Sequence, residues 1–369
     1  MRRLLCLLLL ACAGCDPGTP DGIDVVSALG GDPDSGFAQA TASRLFRFPE
    51  DHNAHGAFRN EWWYVTGHLQ AADGERFGYQ VTFFRIALAP TAAERDSAWA
   101  TRQLWMAHAA LTEIDDADHH HAERIARGAL GLAGQDAEPF RLWLEDWSIA
   151  GGAGGAFPWQ IQIKADAFEF TLTLIPQREP VLQGDEGLSQ KSAGAGNASY
   201  YYSITRLATR GALTRDGQRL AVTGTSWLDR EWSTSALADN QAGWDWLSLQ
   251  LASGGDLMLY RLRDRAGATD PHSAGSFLDG DNRRLVALKA ADFELEAARW
   301  WESPTGARYP VAWRVHVPRA GLNLHVEALV DDQEMLTGVH YWEGAVGVRD
   351  AESGEHLGQG YLEMTGYDR

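Results

Sequence analysis

Residues Phe48 to Arg85 read FPEDHNAHGAFRNEWWYVTGHLQAADGERFGYQVTFFR. The second half of this stretch has the outline of a β-hairpin. Glu61 to Gln70 forms one strand, Asp73-Gly74 the turn and Arg76 to Arg85 the return. On the return strand Phe77, Tyr79, Val81 and Phe83 share one face, and Gly78, Gln80, Thr82 and Phe84 share the other. Trp62, Trp63 and Tyr64 are consecutive, so Trp62 and Tyr64 point one way and Trp63 the other. The first half sets Asp51, His52, His55 and Glu61 beside these large aromatic faces. Ionisable groups packed so closely against apolar surface indicate a ligand site.

Outward from this hairpin the pattern stays β. Strands are expected at Leu104–Ile114, Phe140–Ile149, Trp159–Ala165 and Phe168–Pro176, then at Tyr200–Thr209 and Gln218–Trp227 around Asp216-Gly217. A second run spans Trp244–Leu251, Leu257–Arg263, Phe293–Trp301, Tyr309–Val317, Leu322–Leu329, Gly338–Val348 and Gly358–Tyr367. Ala92–Thr101 is the best candidate helix. Gly184–Ser199 is Gly-rich and reads as a loop over a site or a plain connection. Short strands with repeated turn signals suggest sandwiches or closed barrels, and two consecutive barrels fit the length better than one. The expectation is an all-β fold of two tandem antiparallel β-barrels, residues 42–235 and 236–369, after a leader (1–15) and a flexible tether (16–41).

The leader is Met1-Arg2-Arg3, an apolar run to Ala13, then Gly14-Cys15-Asp16. This is the form of a secretory signal, too short to span a bilayer. Cys12-Ala13-Gly14-Cys15 resembles a bacterial lipoprotein box, which makes Cys15 the lipidated residue, with Cys12 a weaker candidate and simple cleavage the alternative. The protein is then exported and lipid-anchored in the bacterial cell envelope, facing the periplasm. All three cysteines lie in this leader, so the mature domain has no disulfide, no thiol nucleophile and no cysteine metal site. The chain carries 32 basic and 50 acidic side chains, and loss of Arg2 and Arg3 moves the formal charge from -18 to -20. That excess argues against nucleic acid as a partner. The 15 tryptophans outnumber the 13 phenylalanines and 10 tyrosines and suit a hydrophobic small molecule.

The stretch FPEDHNAHGAFRNEWWYVTGHL, with QGDEGLSQKSAGAGNASYYYSITRL, TGTSWLDREWS, GWDWLSLQL, LMLYRLR, YWEGAV and GYLEMTGY, resembles the carotenoid 1,2-hydratase (hydroxyneurosporene synthase)/AttH-like family from about Phe46 to Tyr367. The resemblance implies two tandem lipocalin-like barrels and kinship with hydro-lyases that hydrate a terminal isoprenoid double bond. By position it assigns Asp229, in Trp227-Leu228-Asp229, the role of catalytic acid. Trp227 stands where the family has Tyr, and Tyr200–Tyr202 stands where it has a His/Trp pair.

Hydrating an alkene takes a proton donor and a surface that tolerates a carbocation. A carboxyl in an apolar pocket keeps its proton to higher pH, and aromatic faces stabilise the cation. Asp229 between Trp227 and Trp232, near Tyr200, Tyr201 and Tyr202, offers both. Asp229-Arg230-Glu231 also reads as a charged network at a barrel mouth. His52 or His55 could move a proton with Glu61 orienting it. The same residues could equally cap a turn and pair with an Arg such as Arg85 or Arg206. Trp62, Trp63 and Tyr64 are expected ligand contacts, whereas Phe83, Trp105, Trp244 and Trp246 read as core. Lys191 reads as solvated and His119-His120-His121 as an exposed loop. Tyr341-Trp342-Glu343 is expected to pack on the first barrel. No cofactor, phosphate loop, metal set or Gly-x-Ser-x-Gly elbow is visible. The reading is an apolar, isoprenoid- or polyketide-like ligand inside the first barrel, with Asp229 initiating hydration or isomerisation of a C=C bond. The alternative is a non-catalytic carrier of a hydrophobic ligand. A first barrel filled by its own side chains, or an Asp229 pointing into bulk water, would defeat this catalytic reading and leave the architecture.

Overall fold

The computed structural model describes residues 36–91, 96–235, 237–238, 240–280 and 284–367. The leader, Cys15 and most of the expected tether lie outside the described residues. The first half contributes β1 (Asn60–Ala71), β2 (Arg76–Ala87), β3 (Gln103–Glu113), β4 (Asp118–Arg127), β5 (Ala133–Ala137), β6 (Phe140–Leu144), β7 (Trp147–Ala150), β8 (Trp159–Lys164), β9 (Phe168–Pro176), β10 (Val181–Leu182), β11 (Leu188–Gln190), β12 (Ala198–Arg215) and β13 (Gln218–Ser233). The second half contributes β14 (Gln241–Leu251), β15 (Asp256–Asp264), β16 (Ala274–Leu278), β17 (Leu285–Lys289), β18 (Glu294–Glu302), β19 (Arg308–Val317), β20 (Leu322–Ala328), β21 (Glu334–Leu336), β22 (His340–Asp350) and β23 (His356–Thr365).

Each half is one curled antiparallel sheet. The first runs β4-β3-β2-β1-β13-β12-β9-β8-β7-β6-β5, and the second runs β17-β16-β15-β14-β23-β22-β20-β19-β18. Both are near-closed and barrel-like, as in tandem lipocalin-like barrels. In the first, Arg124 on β4 reaches across to donate to the Lys164 carbonyl at 3.1 Å and lies over the Trp147 ring at 4.8 Å. Its guanidinium thereby draws the free edge of β4 toward the end of β8.

Strict alternation builds both interiors. On β8, Trp159, Ile161 and Ile163 are buried while Gln160, Gln162 and Lys164 face out. Phe168, Phe170, Leu172 and Leu174 on β9 continue the same core. Trp63 and Trp105 stack at 6.1 Å, and Phe83, Tyr200, Tyr202 and Trp232 complete the packing. Thus the first barrel is filled by its own side chains. Among the described residues the space expected to hold a ligand there is taken up by the large aromatics that were to wall it, which pack against one another.

Several local expectations change. Residues 96–101 of the expected helix are not helical, and 92–95 lie outside the described residues. The expected strand Phe140–Ile149 is two strands, broken at Glu145, whose φ of 55° reverses the chain. His119–His121 belong to β4 rather than to an exposed loop, and Thr112 pairs with His119 Nδ1 at 2.9 Å. The stretch before the first barrel is pinned to it: the Ala38 amide donates to Ala57 O at 2.9 Å, and Ala40 bridges Gly196.

Candidate functional site

The sheet register decides where each candidate side chain goes. Across β12, β13, β1, β2 and β3 one row reads Ser203, Asp229, Tyr64, Thr82, His108, and the next outward-facing row reads Tyr201, Glu231, Trp62, Phe84, Met106. The rows between them carry Tyr202, Arg230, Trp63 and Phe83, then Tyr200, Trp232, Glu61 and Arg85. These side chains point into the barrel. Neighbours in sequence therefore serve opposite surfaces of one sheet.

The outward rows meet the second barrel and enclose a cleft of about 140 Å³. Its second wall comes from Trp244, Trp246, Tyr260 and Leu262 on β14 and β15, and from Tyr341, Glu343 and Glu363 on β22 and β23. Trp244 and Trp246 are therefore cleft residues, not core. Of the aromatic residues expected from the sequence to bind ligand, Trp62, Tyr64 and Tyr201 face the cleft. Trp227 lies behind the lining, packed with Tyr64, Tyr201 and Trp246, whereas Trp63, Tyr200, Tyr202 and Trp232 are interior.

The halves are fastened around this cavity. Trp246 Nε1 donates to the Tyr201 hydroxyl at 3.1 Å, and Gln250 Nε2 donates to Thr205 O at 2.7 Å. His108 Nδ1 pairs with the Tyr341 hydroxyl at 2.7 Å, and His68 Nε2 donates to Gly360 O at 2.8 Å. Lys191 is buried rather than solvated. Its ammonium lies 3.2 Å from Glu231 and 4.0 Å from the centre of the Tyr260 ring, so the Gly-rich loop roofs one end of the cleft.

Asp229 is 3% exposed. Burial pushes its pKa up to about 6, against hydrogen bonds from Ser203, Tyr201 and Trp227 that favour the charged form. Ser203 Oγ and Trp227 Nε1 donate to Oδ1 at 2.5 and 2.7 Å, and the Tyr201 hydroxyl donates to Oδ2. This carboxyl can hold or release a proton near neutrality. Glu363 accepts from Trp244 Nε1 at 2.9 Å, and burial raises it to about 7. Burial and the nearby Glu363 push Glu343 well above the usual carboxylate range. Neither Glu343 nor Glu363 was among the expected site residues. Their signal was an acid amid apolar neighbours in each of YWEGAV and GYLEMTGY.

The second predicted constellation is a different object. Glu61 accepts from Arg85 Nε at 3.0 Å and Arg230 Nη2 at 2.7 Å, and pairs with His55 Nδ1 at 2.7 Å. Burial opposes its charge, but Arg230, His55 and Arg85 together hold the carboxyl well below the usual range. His55 stacks on Trp232 at 3.7 Å and also meets Asp51 at 3.1 Å. His52 pairs with the Tyr202 hydroxyl at 2.5 Å, and burial, then the Arg230 charge, depress its pKa to about 3. Glu61 and Arg85 border the cleft through their strands, but the ion pairs turn inward and plug the barrel end. His52, His55 and Glu61 thus form a structural plug, not a proton relay to Asp229, because the sheet lies between them.

A family model described as AttH-like matches residues 39–367. The chain belongs to the AttH-like family. Among solved structures, an AttH protein from Nitrosomonas europaea is 36% identical, with 90% of this AttH-like chain and 100% of that one covered and a TM-score of 0.81. Kievitone hydratase from Nectria haematococca is 16% identical over 91% of this chain and 98% of its own, with a TM-score of 0.67. CghA is 14% identical over 93% and 99%, with a TM-score of 0.53. The last two likenesses are likenesses of fold. No curated protein matches the AttH-like chain.

Proposed function

We propose that the cleft between the barrels binds an apolar, isoprenoid- or polyketide-like small molecule and that Asp229 transfers the proton in hydration or isomerisation of a C=C bond. One observation carries this reading: a fully enclosed carboxyl, its pKa raised by burial to about 6, faces an aromatic-walled cavity. At neutral pH about a tenth of such a group is protonated, enough to donate and to be regenerated. Trp62, Trp246 and Tyr64 present the faces that a developing cation needs. The hydratase among the structural neighbours is consistent with this chemistry on this fold. We also propose that the leader directs export and that Cys15 carries a lipid anchor; Cys15→Ala would then release the protein from the membrane fraction.

The test begins with mass spectrometry of small molecules extracted from the purified native protein. The extracted molecule is then offered to the wild type and to Asp229→Asn. Expected is a gain of one water, or an isomer of unchanged mass, with the wild type only, at similar affinity in both proteins. A ligand that both proteins bind and leave unchanged would make the protein a carrier. A cleft that retains no apolar molecule would end the reading.

A further inference from the structure

Two polar groups in the cleft lack well-aligned partners. The Tyr64 hydroxyl and both Glu343 carboxyl oxygens are buried without a well-formed hydrogen bond, and their residues are 5% and 1% exposed. They come from different barrels, Tyr64 from β1 and Glu343 from β22, and meet in a mutual hydrogen-bond contact that falls short of good geometry, as does a second one from Tyr341 to Glu343. Burying such groups without well-formed hydrogen bonds is costly. A buried arrangement of this kind persists where a ligand completes it.

The surroundings decide which ligand. Glu363 lies directly opposite Glu343 across β22 and β23, and Asp229 lies directly opposite Tyr64 across β13 and β1. Lys191 is held by Glu231. With acids on both sides and that cation engaged, Glu343 is kept neutral, and a neutral carboxyl offers one O–H donor. Tyr64 offers another. Two O–H donors whose contact with each other is poorly formed, in a cavity walled largely by aromatic rings, fit one oxygen atom with two lone pairs. We propose that Tyr64 and Glu343 form an oxyanion hole for the carbonyl oxygen of an apolar substrate whose C=C bond is conjugated, or one carbon removed from conjugation, with that carbonyl. The proposal rests on the cleft being the ligand site and narrows its substrate class.

The chemistry balances without a co-reactant. The Asp229 carboxylate takes a proton from the carbon between the C=C and C=O groups. That C–H pair forms a new C=C bond, and the carbonyl π pair moves onto oxygen, where Tyr64 and Glu343 hold it by hydrogen bonds. The oxygen pair then re-forms C=O while the far end of the dienolate takes the proton back from Asp229. The double bond has moved, and no atom is gained or lost. Two donors fixed where charge develops are worth far more in such a cavity than in water. A neutral carboxylic acid beside a tyrosine is a known way to build the hole.

Binding of naphthalene, naphthol and the ammonium form of naphthylmethylamine to the full chain, followed by fluorescence, tests this. The wild type is expected to prefer naphthol to naphthalene by about tenfold or more. Tyr64→Phe and Glu343→Ala each lose most of that preference, and Glu343→Gln, whose amide keeps a donor, retains part of it. Equal affinity for naphthol and naphthalene overturns the oxyanion hole but leaves the cleft as a ligand site. Preference for the ammonium overturns it in favour of a cation site. Binding of none of the three overturns both readings. If Glu343→Ala does not fold, the Tyr64→Phe ratio decides.

Discussion

Glu343 and Glu363 are directly opposed on adjacent strands, β22 and β23, so two carboxyls share one wall of the cleft. Like charges held this way are not both ionised. Glu363, raised to about 7, keeps its proton in the folded state to higher pH than in the unfolded chain, where the ordinary value is 4.5. The folded state therefore binds more protons across that window. The stabilisation is complete below pH 4.5 and is lost as pH rises through about 7. Glu363→Gln holds no titrating proton and still accepts from Trp244. Urea denaturation is expected to show this variant more stable than the wild type above pH 7, by on the order of a few kcal/mol, with the gap closing toward acid. Equal pH slopes in the two proteins would refute it.

The plug at the end of the first barrel predicts the opposite sensitivity. Glu61 is held well below its usual range by Arg230, His55 and Arg85 despite full burial. Glu61→Gln leaves both guanidinium groups buried without their carboxylate partner. Breaking such a network typically costs about 3–5 kcal/mol, which thermal denaturation would register as a large loss. Because the cleft lies on the other face of the sheet, cleft affinity at a temperature where the variant is folded is expected to stay near that of the wild type.

Gly78 sits where the barrels touch. A Cβ there would lie 2.7 Å from Ala345 Cβ and 2.8 Å from the Tyr361 hydroxyl. Both neighbours sit on regular strands of the other half, so Gly78→Val must push the halves apart. The variant is expected to retain the far-ultraviolet spectrum of both sheets and to lose ligand affinity by about tenfold. Unchanged affinity would mean that the docking of the barrels does not shape the cavity.

The fold was readable because its signals are local. The hairpin at Asp73-Gly74 and the alternation from Arg76 to Arg85 require nothing beyond nearest neighbours, and β1 and β2 extend only slightly past the expected ends. Alternation also separated Trp63 from Trp62 and Tyr64 correctly. It could not say which face looks onto a ligand, since that depends on where the other barrel docks. For this reason Trp232 and Tyr202 looked like site residues, and Trp246 and Glu363 did not. The cluster of Asp51, His52, His55 and Glu61 was unusual for a good reason, but the reason was charge burial at a barrel end. Sequence proximity to aromatics does not distinguish a plug from a pocket.

The first barrel is packed by its own side chains, and the cleft that holds Asp229 belongs to the seam between the two halves. Substitutions along that seam need not disturb either hydrophobic core. Such an architecture lets ligand preference diverge while the two cores stay fixed. Within this family, the side chains lining the junction are therefore where differences in chemistry should be sought first.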